Sequence, residues 1–168
     1  MIYPNNFETK IGFDTIRRVL EKQCMSPLGV AHCKEMRYYS NYDLINQKLR
    51  ETNEFLAIIT AQAEFPLNDF HDVTPALNAI RAQGSYMPAD ELFRLRKSLG
   101  TIGAISSFFI KSNEEGVTPY PHLSELCSGM QSFNPILKEI DCIIDKFGNI
   151  KDNASRELLS IKQAIQAT

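Results

Sequence analysis

A chain of 168 residues, 43% hydrophobic and 23% charged, is the size of one ordinary domain or of two small helical lobes. Such a chain buries most of its apolar surface without metals or disulfides, which excludes the disordered class. Its 18 Lys and Arg stand against 20 Asp and Glu, a net charge of −2, so it lacks the basic excess of an autonomous nucleic-acid module.

The predicted elements run as follows. Phe13, Ile16, Leu20 and Cys24 recur at spacings of three and four, which predicts a long helix from Ile11 to Lys22. Ser26-Pro27 supplies an N-cap hydroxyl and a proline at the first helical position, so a shorter helix is expected from Pro27 towards Met36. Asn41 is placed to cap a third helix whose Ile45, Leu49, Thr52, Leu56 and Ile59 step as a near-heptad seam, packed along much of its length. That helix must stop before Pro66, because the residue preceding proline is pushed out of the helical region, and residues 65–72 read as a connector.

A short helix around Val73 to Arg81 ends at Gly84-Ser85, and Pro88-Ala89-Asp90-Glu91 restarts one with acidic residues at the positive end of the helix dipole. Leu92, Leu95, Leu99, Ile102 and Phe109 line one of its faces. Gly100 and Gly103 inside it predict close approach of another helix, since each glycine costs about 1 kcal/mol relative to alanine. Residues 113–116 read as a loop, followed by helices from His122 to Met130 and from Pro135 to Ile144. Residues 146–152 form a turn or a small hairpin, because Gly148-Asn149 tolerates positive φ. A final helix opens near Asn153, capped by Asp152 or Asn153, and carries Leu158, Ile161 and Ile165 to the end without a C-cap glycine. Leu158 is expected against the core and Ile165 exposed or covered by a partner. The fold class is mainly α, a multi-helical bundle.

Chemistry finds little to stand on. The phosphate-binding pattern G-x-x-x-x-G-K-[ST] is absent, and Gly100-Thr101-Ile102-Gly103 sits within a helix, where it reads as packing. His122 and Glu125 share a helical face with Cys127 nearby, and Cys24, His32 and Cys33 make a second group. One His-x-x-Glu pair is short of a metal site, and the second group reads as helix packing. Cys127-Ser128-Gly129 carries no nucleophile signature, and Asp141 and Asp145, beside Glu139, read as a solvated helix face. Phe108-Phe109 and Tyr38-Tyr39 read as core or helix-interface residues. Lys10, Arg17 and Arg18 form one local basic cluster that leaves room for a minor phosphate contact. No catalytic, cofactor-binding or metal residue is therefore assigned.

Four cysteines without C-x-x-C spacing, and an opening Met1-Ile2-Tyr3-Pro4 in place of an apolar run, predict a cytoplasmic chain. The longest mostly apolar stretch, residues 104–110, is far short of the ~20 residues of a bilayer span, so no membrane partner is expected.

Two stretches carry a family resemblance. The first is Phe7-Glu8-x-Lys10-Ile11-Gly12-Phe13-Asp14-x-Ile16-Arg17 followed by Ser26-Pro27-Leu28-Gly29. The second is Ile144-Asp145-x-x-Gly148-x-Ile150-x-Asp152-x-Ala154-Ser155-x-x-Leu158, with Phe65-Pro66-Leu67 and Asp90-Glu91-Leu92 between them. In this order they resemble the N-terminal part of the MutS type II proteins, the branch that starts at the core domain without mismatch-recognition domains; Val30-Ala31 departs from the charged residues frequent there. The resemblance implies a helical core domain over residues 1–152 and the truncated start of a lever helix over 153–168. It further implies a longer parent: a homodimeric ATPase using ATP and Mg, acting on branched DNA and restraining recombination, in some members rescuing ribosomes, with a nuclease domain in some. All of that machinery would lie beyond Thr168, leaving this segment no cofactor and no catalysis of its own. An independent helical protein-interaction module and a small helical metalloenzyme are the competing readings.

Overall fold

The computed structural model describes residues 6–113, 119–131 and 133–166. The opening Met1-Ile2-Tyr3-Pro4 and the expected loop past Asn113 lie outside them. Among the described residues there are nine helices: α1 (Phe7–Lys10), α2 (Phe13–Gln23), α3 (Pro27–Glu35), α4 (Tyr42–Thr60), α5 (Thr74–Ala79), α6 (Ala89–Asn113), α7 (Pro121–Cys127), α8 (Asn134–Ile143) and α9 (Arg156–Gln166). The only β pairing among them is an isolated antiparallel bridge between Ile144 and Ile150. The mainly α class is thus observed. The chain divides into two compact units, Met1–Asn41 and Tyr42–Thr168.

In the first unit, Gly12 at φ +76° starts α2 two residues later than the predicted Ile11 and separates it from the short α1, which the periodicity did not show. Ser26 Oγ accepts from Gly29 N at 3.1 Å and Pro27 opens α3, as the local signal predicts. Arg17 ties the unit together: it pairs with Glu8 at 2.7 Å, donates to the Met36 carbonyl at 3.1 Å and lies over the Phe13 ring. The face expected to be packed is only half covered, with Ile16 54% exposed and Leu20 39%. Three short helices have too little volume to enclose it.

The second unit is built around α6, against which α7 and α8 pack, while α4 packs on α7. Leu99, Ile140 and Ile144 form one buried cluster, with Leu92, Phe93, Leu95, Phe133 and Leu137 around it. A second, aromatic cluster centres on Phe65, whose ring meets Phe55 at 5.4 Å, Phe108 at 5.1 Å and Phe109 at 6.0 Å, all edge-on. Tyr120 stacks on Phe108. These edge-to-face contacts suit the ring quadrupoles and explain why the connector carrying Phe65 is held down. Hydroxyls of α6 strap the same connector: Ser98 Oγ accepts from His71 N at 3.3 Å, and Thr101 Oγ1 donates to the Asn68 carbonyl at 2.9 Å.

Two expectations are corrected. The seam on α4 does not face inward: Leu49, Leu56 and Ile59 are largely exposed, and the inward row is Glu51, Phe55 and Ile58. Phe55 reaches the aromatic cluster, Ile58 is fully buried, and buried Glu51 is tolerated because Gln47 and Lys48 donate to its carboxylate at 3.1 and 2.8 Å. Among the described residues no helix closely approaches Gly100 or Gly103 either; a Cβ at either would meet open space.

Candidate functional site

Among the described residues, the groups singled out in the sequence come together only in part. Arg17 and Arg18 of the basic cluster are engaged by Glu8 and Asp14. His32 is exposed, whereas Cys24 and Cys33 bring their sulfurs to 3.4 Å. The hydrogen bond to Cys33, then burial, pushes the Cys24 thiol above its ordinary range. Among the described residues no group of three or more His, Cys, Asp and Glu side chains is placed to hold a metal ion. His122 is used through its backbone: its N–H and that of Leu123 donate to the Glu54 carboxylate of α4 at 3.1 and 2.9 Å. Burial raises the Cys127 thiol. Phe108 and Phe109 belong to the aromatic cluster, but Tyr38 and Tyr39 are about half exposed, Tyr38 resting edge-on against Phe7.

Asp141 and Asp145 come together with residues the sequence did not single out, and they build the root of α9. The Arg96 guanidinium of α6 grips Asp141 of α8 through Nε and Nη2, the latter at 3.3 Å, and Lys151 donates to the Asp141 carbonyl. The hydrogen bond from Arg96 holds the Asp141 carboxyl below the usual carboxylate range against an opposing effect of burial. Asp145 nucleates the turn that follows. Its carboxylate accepts from Phe147 N at 2.8 Å, Asn149 N at 2.9 Å and Asn149 Nδ2 at 3.2 Å, and its pKa is lowered, foremost by the Asn149 N–H. Backbone bonds from Asp145 N to the Asn149 carbonyl and from Lys151 N to the Ile143 carbonyl close the hairpin.

Gly148 completes the root. Its φ is +87°, and a Cβ built on it would stand 2.9 Å from Cγ of Phe93 on α6. Glycine is therefore required twice over, by backbone and by volume. Lys162 of α9 pairs back onto Asp152. The cap of α9 is Ser155, whose Oγ accepts from Leu158 N at 3.1 Å, so the helix starts three residues later than the Asn153 of the sequence reading. Leu158 is half-buried, while Leu159, Ile161 and Ile165 are 38%, 58% and 69% exposed. Ile161 is thus not part of a buried face, and Ile165 is exposed as expected. The arrangement ties the hairpin that precedes α9 to α6 and α8.

No family model matches the chain. It is 30% identical over 155 residues to a protein named Endonuclease MutS2 from Alkaliphilus oremlandii, covering 92% of this chain and 19% of that protein. It is 29% identical over 157 residues to the Endonuclease MutS2 of Leuconostoc citreum, covering 93% and 20%, and 24% identical over 156 residues to that of a Geobacillus strain, again 93% and 20%. The chain spans about a fifth of the length of these curated relatives. No helix among the described residues is long and apolar enough to cross a membrane.

Proposed function

With a chain homologous to the N-terminal segment of the type II MutS proteins as premise, we propose that it is the core and lever scaffold of a MutS-type ATPase, relaying motion between a clamp and the ATPase centre. The observation that carries this reading is the stiff root of α9, where Phe93 and Arg96 of α6, Asp141 of α8 and the Asp145–Asn149 turn interlock. Packed helices shift as units, so rotation of α9 reaches α6 and α8 through this hairpin, to which α9 is joined by residues 151–155 and the Lys162–Asp152 pair. The whole protein is read as a homodimer in the cytoplasm, using ATP and Mg and acting on branched DNA or on ribosomes, with endonuclease activity suggested by the relatives' printed name. In this division of labour the present segment neither cradles phosphate nor grips DNA, in keeping with its net charge of −2.

A chimera tests the relay. In the Alkaliphilus oremlandii protein, the matching segment is replaced by this chain, and ATP turnover is followed with and without branched DNA. Gly148→Val is expected to leave basal turnover in place while abolishing its response to DNA; an intact response would refute the relay. The isolated chain is expected to give no calorimetric binding of Mg-ATP and only weak, salt-sensitive DNA binding. Saturable micromolar ATP binding, or nanomolar DNA affinity at physiological salt, would overturn the assignment of a scaffold.

The alternative, an independent helical interaction module, draws on the exposed row Leu49, Leu56 and Ile59 of α4. It separates from the first reading by whether the reading frame continues past Thr168 into a phosphate-binding loop.

A further inference from the structure

We propose that Cys24 and Cys33 form a reversible dithiol–disulfide site, closed by small-molecule disulfides of the glutathione type. Cys24 caps the C-terminus of α2 in an extended conformation, and Cys33 lies in the last turn of α3. The Ser26-Pro27 start of α3 folds that helix back on α2, which is how residues nine apart bring their sulfurs to 3.4 Å. A disulfide needs about 2.05 Å between sulfurs, so closing takes about 1.4 Å of movement, within reach of small side-chain rotations.

Both cysteines are only half-buried. An open groove lined by Cys24, Met25, Val30 and Lys34 runs beside the pair, and the Lys34 ammonium suits an anionic tripeptide disulfide. Among the described residues no other two sulfurs are in contact: Cys127 is half-buried, and Cys142 is exposed.

The chemistry balances without any other reagent. One cysteine thiolate attacks a sulfur of the oxidant, forming a mixed disulfide and expelling one small thiolate. The second cysteine, having lost its proton, attacks the protein-side sulfur and expels the other half. The chain gives up two electrons and two protons, and the small disulfide is reduced to two thiols. The product closes the loop from Cys24 to Cys33 and staples α2 to α3.

The test is to equilibrate the full chain in graded mixtures of reduced and oxidised glutathione, quench with maleimide and analyse by peptide mass spectrometry. The expected product is two hydrogens lighter, has lost two of its four thiols, contains a Cys24–Cys33 cross-linked peptide and keeps Cys127 alkylated. Its thermal midpoint should rise by several degrees and return on reduction. In Cys24→Ser the same buffers should leave a glutathione adduct on Cys33 with no loss of two hydrogens. The proposal is overturned if Cys24 and Cys33 stay alkylated where Cys142 is already glutathionylated, or if they accumulate as separate adducts that never close.

Discussion

At the scale of single residues, Gly148 is the position where the fewest atoms decide the most. Gly148→Ala meets two separate penalties, a left-handed backbone at φ +87° and a Cβ at 2.9 Å from Phe93. The backbone alone costs about 1–2 kcal/mol. Gly148→Ala is therefore expected to lower stability in urea melts by at least that amount. In the background of Phe93→Ala the same change should cost less, because the steric part is already relieved; equal losses in both backgrounds would show that Phe93 does not set the limit. The sequence disclosed half of this. Gly148-Asn149 announces a turn through its own backbone preference, but Phe93 is 55 residues away in the chain, and nothing local names it.

At the scale of elements, most helix starts and the inward face of α6 were legible, and the inward face of α4 was not. Ser26-Pro27, Pro88 and the exclusion of helix before Pro66 act within three or four residues, so the chain states them directly. Which side of α4 turns inward depends on where Phe65 lands, and the period of the apolar residues fits Leu49, Leu56 and Ile59 equally well. The seven-residue α7 shows the same limit: its N-cap, Tyr120, gives no side-chain cap to the helix that Pro121 opens, and it takes Glu54 of α4 instead. Glu54→Ala is expected to destabilise by about 1 kcal/mol, in the range of lost N-caps, with the amides of α7 losing protection first. Unchanged exchange there would contradict the cap. For α6 the opposite sign is expected: Gly100→Ala and Gly103→Ala point into open space and should each stabilise by about 0.5–1 kcal/mol in thermal melts. A loss of stability at either would mean another surface does approach those glycines.

At the scale of the whole molecule, stability should be graded across the second unit. Leu99, Ile140 and Ile144 are sealed within it, whereas α9 touches it through its root and exposes Ile161 and Ile165. Amide exchange is accordingly expected to be slowest around Leu99 and much faster around Ile165. Protection at Ile165 equal to that at Leu99 would refute the picture of a helix held at one end. The apolar spacing of Leu158, Ile161 and Ile165 announced a helix here, three residues too early, but the network of Arg96, Asp141 and Lys151 ahead of it joins three separate stretches and could not be read in advance.

The loan of Glu54 to α7 also fixes an order of events. A helix of seven residues is too short to persist alone in water, and its first free N–H groups find their acceptor only when a carboxylate 68 residues upstream has been brought to them. That closure is entropically costly and comes after the local helices α4 and α6 have formed. Along the folding route α7 is therefore a late arrival, condensing on two helices already in place. Substitutions in it should chiefly speed unfolding and leave the refolding rate nearly untouched.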